Sequence, residues 1–125
     1  MLKRFMLPLA LCLAVIACKP AAGDDCDDAN TGTCESDTEA LFCDGGKYKL
    51  IHCRGANGCI ETKDKEFICE QGNFRAGDPC LSSQENMGMC DASNANQRVV
   101  CRGGTVQADT CKGCAIQSGQ IVCQP

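Results

Sequence analysis

Two short stretches of this chain run from consecutive apolar residues through a pair of glycines into a mixed apolar and polar run. Ala40-Leu41-Phe42-Cys43 leads into Asp44-Gly45-Gly46, and Lys47 to Cys53 follows. Further on, Arg98 to Cys101, Arg102-Gly103-Gly104 and Thr105 to Cys111 repeat the arrangement. Tight hairpin turns require positive φ, which glycine adopts without steric cost, so both stretches predict β-hairpins. A second hairpin is predicted behind each. A turn centred on Lys63-Asp64-Lys65 sets Cys59 opposite Cys69 and Ile60 opposite Ile68, and a turn at Ser118-Gly119 sets Cys114 opposite Cys123. Cystines directly across these second hairpins are geometrically possible, although spacing alone leaves all 15 pairings of six cysteines open. No stretch carries a 3.6-residue apolar period long enough to predict a helix outside the N-terminal signal.

The hairpins belong to a larger internal repeat. Twelve cysteines fall into two sets of six: Cys26, Cys34, Cys43, Cys53, Cys59 and Cys69, then Cys80, Cys90, Cys101, Cys111, Cys114 and Cys123. Other residues repeat with them. Gly23-Asp24 answers Gly77-Asp78, Gly32 answers Gly88, Leu41-Phe42-Cys43 answers Val99-Val100-Cys101, Gly58-Cys59 answers Gly113-Cys114, and Phe67-Ile68-Cys69 answers Ile121-Val122-Cys123. The reading is two tandem six-cysteine modules, 23–70 and 77–125, joined by a polar linker at 71–76. Each is expected to be small, disulfide-rich and built on β-hairpins. Apolar side chains are few in each, so three cystines at about 3 kcal/mol apiece are expected to carry much of the stability.

The N-terminus has a different pattern. Lys3 and Arg4 precede an apolar run from Phe5 to Ala17, the layout of a secretory signal over residues 1–17. The run is shorter than the roughly 20 apolar residues that a membrane-spanning helix needs. Val15-Ile16-Ala17-Cys18 resembles the lipobox of bacterial lipoproteins, which implies cleavage before Cys18 and acylation of that cysteine, palmitate among the chains. Lys19 stands where many inner-membrane lipoproteins of Gram-negative bacteria have aspartate, so the resemblance favours the outer membrane or cell surface. Residues 18–22 form a lipidated cysteine and short tether. The tether reaches little more than about 10 Å, which keeps the first module close to the membrane.

Composition and charge narrow the chemistry. Cysteine makes up 14 of 125 residues, a level typical of exported disulfide scaffolds. The formal charge is −4, and loss of Lys3 and Arg4 with the signal brings it to −6, which argues against nucleic acid as a partner. Cys111-Lys112-Gly113-Cys114 has C-x-x-C spacing, but Cys53 and Cys59 of the first module do not repeat it, so structural disulfides are expected rather than zinc or redox chemistry. Asp24, Asp25, Asp27 and Asp28 lack the order of a calcium loop and read as a solvated acidic loop. His52 is the single histidine and has no nucleophile or orienting partner placed by motif. The reading is a non-enzymatic protein with no cofactor, no metal and no catalytic residue.

The run of an apolar pair before cysteine, Gly-Gly, a strand, cysteine, Gly-Cys and a closing apolar-Cys resembles cysteine-rich repeat lipoproteins of myxobacteria and related deltaproteobacteria. It resembles more weakly the small chitin-binding modules of carbohydrate-binding family 19. The first resemblance implies a surface-anchored scaffold or interaction module; the second implies a glycan partner. Tyr48, after Gly45-Gly46, is the candidate ring for sugar stacking, whereas Val106 holds the matching place in the second module. A surface protein is the other partner class considered. Protease inhibition through the loops Glu35 to Ala40 and Asp91 to Gln97 is a further alternative, since rigid loops lower the entropy cost of binding.

Overall fold

The computed structural model describes residues 19–64 and 66–125, and the signal segment and Cys18 lie outside them. Ten strands and one short 3₁₀ turn, Ser82–Gln84, make up its regular structure. Strands β1 (Gly32–Ser36), β2 (Glu39–Asp44) and β3 (Lys47–His52) form an antiparallel sheet in that order. Strands β4 (Cys59–Glu61) and β5 (Phe67–Cys69) form a separate hairpin. The second half repeats the plan: β6 (Gly88–Cys90), β7 (Gln97–Arg102) and β8 (Thr105–Thr110) in one sheet, β9 (Gly113–Gln117) and β10 (Gln120–Gln124) in a hairpin. This is a small, disulfide-rich β fold.

The glycine pairs turn as the pattern predicts. Gly45 and Gly46 have φ of 63° and 81°, Gly103 and Gly104 of 60° and 82°. Two successive positive φ values make a turn whose twist matches the flanking strands. Asp44 therefore pairs with Lys47 and Arg102 with Thr105. The second hairpins also hold the predicted register, Cys59 opposite Cys69 and Ile60 opposite Ile68, and Cys114 opposite Cys123.

The cystines do not cross those hairpins. Cys34 bonds Cys59 and Cys53 bonds Cys69 in the first module; Cys90 bonds Cys114 and Cys111 bonds Cys123 in the second. With Cys26–Cys43 and Cys80–Cys101, both modules share one connectivity: first to third, second to fifth, fourth to sixth. Residues opposite one another in a hairpin point to the same face. Each hairpin thus offers two sulfurs to its neighbouring sheet, and bonding there fixes hairpin to sheet. A cystine across the hairpin would only re-close a loop that the turn already closes.

Strands β1 and β6 are not announced by any alternation, and a repeated glycine explains their position. A Cβ on Gly32 would lie 2.8 Å from both the Leu41 carbonyl oxygen and the Phe67 ring; on Gly88 it would lie 2.9 Å from the Val99 carbonyl oxygen. Bare backbone is needed for these strands to approach. Gly58 is equally constrained, with φ of 59° and a virtual Cβ 2.2 Å from the Asp37 carbonyl oxygen. Gly113, its sequence counterpart, has open space around the same position and no positive φ. Gly58→Ala should lower stability by more than about 2 kcal/mol, whereas Gly113→Ala should stay within about 0.5 kcal/mol. Urea midpoints of the two oxidised variants check this contrast.

The core is split in two. Ala40, Ile51, Cys53, Cys59 and Leu81 form one buried cluster, flanked by Phe42 and Phe67, whose ring centroids are 6.1 Å apart. Phe74, Cys80, Val99, Cys101 and Val106 form the other, flanked by Met89. Two of these residues depart from the expected organisation. Phe74 sits in the segment read as a polar linker yet is only 7% exposed, and its backbone N–H donates to the Met89 sulfur. Leu81 belongs to the second module by sequence and completes the core of the first.

Candidate interaction surface

Before Leu81 can enter the first module's core, the segment 78–81 must be held in place, and its own module does this. Gly77 N–H donates to the Val106 carbonyl, Val106 N–H to the Asp78 carbonyl, and Cys80 N–H to the Gly104 carbonyl. The first module shapes its leading segment with the same bonds: Gly23 N–H to Tyr48, Tyr48 N–H to Asp24, and Cys26 N–H to Gly46. Both modules therefore share the backbone geometry of the leading edge.

In the second module that edge docks along the β2–β3 face of the first. Arg54 pairs with Asp78. The Lys49 ammonium donates to the Cys80 carbonyl at 2.7 Å and lies 3.3 Å from the Asp44 carboxylate. Asp44 also accepts from the Ser82 N–H at 2.9 Å and from the Ser82 hydroxyl. Leu81 inserts between them against Ala40 and Ile51. The Gln84 side-chain amide, bonded to Gln71 at 2.6 Å, closes one edge. An apolar plug ringed by charge-assisted bonds is thus the contact that unites the halves.

Both carboxylates in this contact titrate low. Partial burial pushes the Asp44 pKa up, but bonds from Ser82 and Lys49 outweigh it and hold the group below the usual carboxylate value. Burial likewise pushes Asp78 up, while Arg54 and the Arg75 N–H bring it down. A carboxylate with a depressed folded-state pKa stabilises above its ordinary value and loses that contribution as pH falls through the depressed one. Docking should therefore be intact at neutral pH and loosen below roughly pH 4. Hydrogen exchange at Ser82 and neighbouring amides, compared between neutral and acid solution, checks the direction.

Among the described residues no module docks on the corresponding face of the second module, and its side chains differ there. Arg98 and Asp109 occupy the places of Ala40 and Ile51, Arg102 that of Asp44, and Lys112 that of Arg54. Asp109 accepts from Arg98 Nε at 3.0 Å and from both terminal nitrogens of Arg102, at 2.7 and 2.9 Å. Two guanidiniums share one carboxylate, which lies far below its ordinary pKa because of Arg102 first and Arg98 second. Val100 and Ile121 replace the bulkier Phe42 and Phe67, and they line a cleft of about 250 Å³ together with Asn86, Gly88, Arg98 and Arg102.

The remaining candidate residues fall elsewhere. Tyr48 is half-buried on β3 opposite Cys43, on the sheet face that carries the Cys26–Cys43 cystine. His52 is half-buried opposite Glu39, its Nδ1 3.7 Å from the carboxylate. Asp24, Asp25, Asp27 and Asp28 are exposed, with Asp25 paired to Lys47. Cys111 and Cys114 bond different partners, so the C-x-x-C is not a dithiol pair. The two unlike loops do the same structural work. Asp37 and Thr38 offer carbonyls to Cys59 and Cys53, and Ala95 and Asn96 offer theirs to Cys114 and Cys111. Because only backbone atoms are used, the side chains there are free to differ.

Leu81, Lys49, Asp44, Arg54 and Asp78 are absent from the expected site residues. Their signal lies in how the repeat diverges: Leu81 against Asp27, and the Ala40–Ile51 pair against Arg98–Asp109. Fold and surface together define a two-repeat, disulfide-stapled β-hairpin protein whose modules dock leading edge to sheet face. No protein-family model, curated protein or solved structure matches the chain. Six cystines mark a chain that folds in an oxidising, exported compartment. Among the described residues no helix is long and apolar enough to cross a membrane.

Proposed function

We propose that this protein is a lipid-anchored surface lipoprotein whose two modules serve as a non-enzymatic scaffold for contact with other surface molecules. The carrying observation is the docked pair of stapled modules: a continuous, rigid body that displays charged end faces. All twelve module cysteines are spent in cystines, which supports reading them as staples and not as nucleophiles or metal ligands. The anchor rests on Val15-Ile16-Ala17-Cys18 behind a charged start and an apolar run. Several acyl chains, at about 0.8 kcal/mol per buried methylene, make a stable attachment. Residues 19–22 then keep the first module near the outer-membrane surface.

Metabolic labelling with a radioactive or clickable fatty acid tests the anchor. Wild type should incorporate label and sediment with outer membranes, and Cys18→Ala should do neither. Equal labelling of the two would remove the anchor. Retention of the soluble protein on chitin, cellulose or peptidoglycan, abolished by Tyr48→Ala, would replace the scaffold reading with a glycan-binding one.

A further inference from the structure

We propose that the exposed sheet face of the second module binds the leading edge of another copy of this chain, so that the module contact inside one molecule recurs between molecules. This deepens the scaffold reading by naming its partner. The lipid anchor stands or falls separately, by the labelling experiment.

Three observations carry the inference. The first is shape. Residues 23–26 and 77–80 are held by the same backbone bonds to their own sheets, and β7–β8 pairs in the same register as β2–β3. Ligand edge and receiving face are thus both preformed in the geometry that docks within the chain. The second is charge. Superposing the internal contact onto the terminal faces sets Asp24 against Lys112, as Asp78 meets Arg54. It sets Asp28 against Arg102, as Ser82 meets Asp44, and Asp27 against Arg98, as Leu81 meets Ala40. Each aspartate faces a base. Asp109 and Glu85 are the like charges by the receiving face; Arg98 and Arg102 engage Asp109, and Glu85 accepts from the Gly103 N–H beside Arg102.

The third observation is that the two ends change together. Leu81 and the Ala40–Ile51 pair are both apolar; Asp27 and the Arg98–Asp109 pair are both charged. Simple solubilising caps have no need of opposite signs. Here the leading edge carries Asp24, Asp27 and Asp28 beyond the paired Asp25, and the receiving face carries two arginines and Lys112 against Asp109 and Glu85. The apolar interior contact is permanent within a molecule, and its polar version between molecules is weak and reversible. Because edge and face are different surfaces, the contact is heterologous, and its repetition from copy to copy extends a row.

Sedimentation velocity on the oxidised chain from Lys19 onward, which contains every strand and cystine, tests this. At about 20 mM salt the weight-average sedimentation coefficient should rise as protein goes from about 10 µM to about 1 mM. At about 500 mM it should fall to that of the monomer. Asp24→Lys and Lys112→Glu alter exposed side chains. Each alone should weaken association about fivefold, and the double swap should restore it to within about twofold. A monomer at every concentration would mean that the end faces are caps only and would overturn the proposal. So would association that ignores salt, or single swaps that the double swap does not rescue.

Discussion

Reduction of the six cystines unfolds this protein at neutral pH and 25 °C without denaturant. The loops they close span sequence separations of 17, 25, 16, 21, 24 and 12 residues. By the loss of chain entropy in the unfolded state, each is worth about 3 kcal/mol. Overlapping loops share part of that constraint, yet half the total still matches the about 5–15 kcal/mol of net stability usual for a domain. Little else stands behind it. Apart from cysteine and alanine, the two modules together bury only seven apolar side chains: Leu41, Ile51, Phe74, Leu81, Val99, Val100 and Val106. Added phosphine reductant should therefore collapse the amide proton dispersion of a folded β protein into a random-coil envelope. Retained dispersion after complete thiol titration would show that the cores suffice alone.

Leu81→Asp separates the modules without unfolding either of them. Leu81 is 9% exposed and lies against Ala40, Ile51, Cys53 and Cys59. Losing its side chain from such a site costs about 2–5 kcal/mol, and an unpaired carboxylate in its place cannot stay there without a further penalty. The surrounding bonds cannot compensate, because Lys49 and Arg54 are already engaged by Asp44 and Asp78. Each module retains its three cystines. Shift changes in nuclear magnetic resonance should therefore concentrate at Asp44, Lys49, Ile51, Arg54 and residues 78–85, with strand patterns kept elsewhere. Leu81→Met, which conserves volume, should cost less than about 1.5 kcal/mol. Aspartate is what the first module has at this position, Asp27, and that side chain is exposed.

That comparison shows which parts of the structure were legible beforehand. Apolar runs and paired glycines mark β2–β3 and β7–β8, and the turn at Ser118-Gly119 marks β9–β10, because local backbone chemistry decides those elements. Strands β1 and β6 carry no such mark. Gly32–Ser36 and Gly88–Cys90 bury no alternating apolar face and are held by backbone pairing with β2 and β7. Disulfide partners were not readable either, since opposition within a hairpin places two sulfurs on one face without saying what lies across from it. Phe74 looked like part of a linker because a single aromatic has no periodicity. The docking contact was written in the repeat's divergences, which acquire meaning only once β2–β3 and β7–β8 are seen to occupy equivalent positions.

Non-reducing peptide mapping of the oxidised protein addresses the central claim, two copies of one stapled module, most directly. It should yield Cys26–Cys43, Cys34–Cys59 and Cys53–Cys69, matched by Cys80–Cys101, Cys90–Cys114 and Cys111–Cys123. A bond between modules, a cross-hairpin link such as Cys59–Cys69, or different connectivity in the two halves would contradict it.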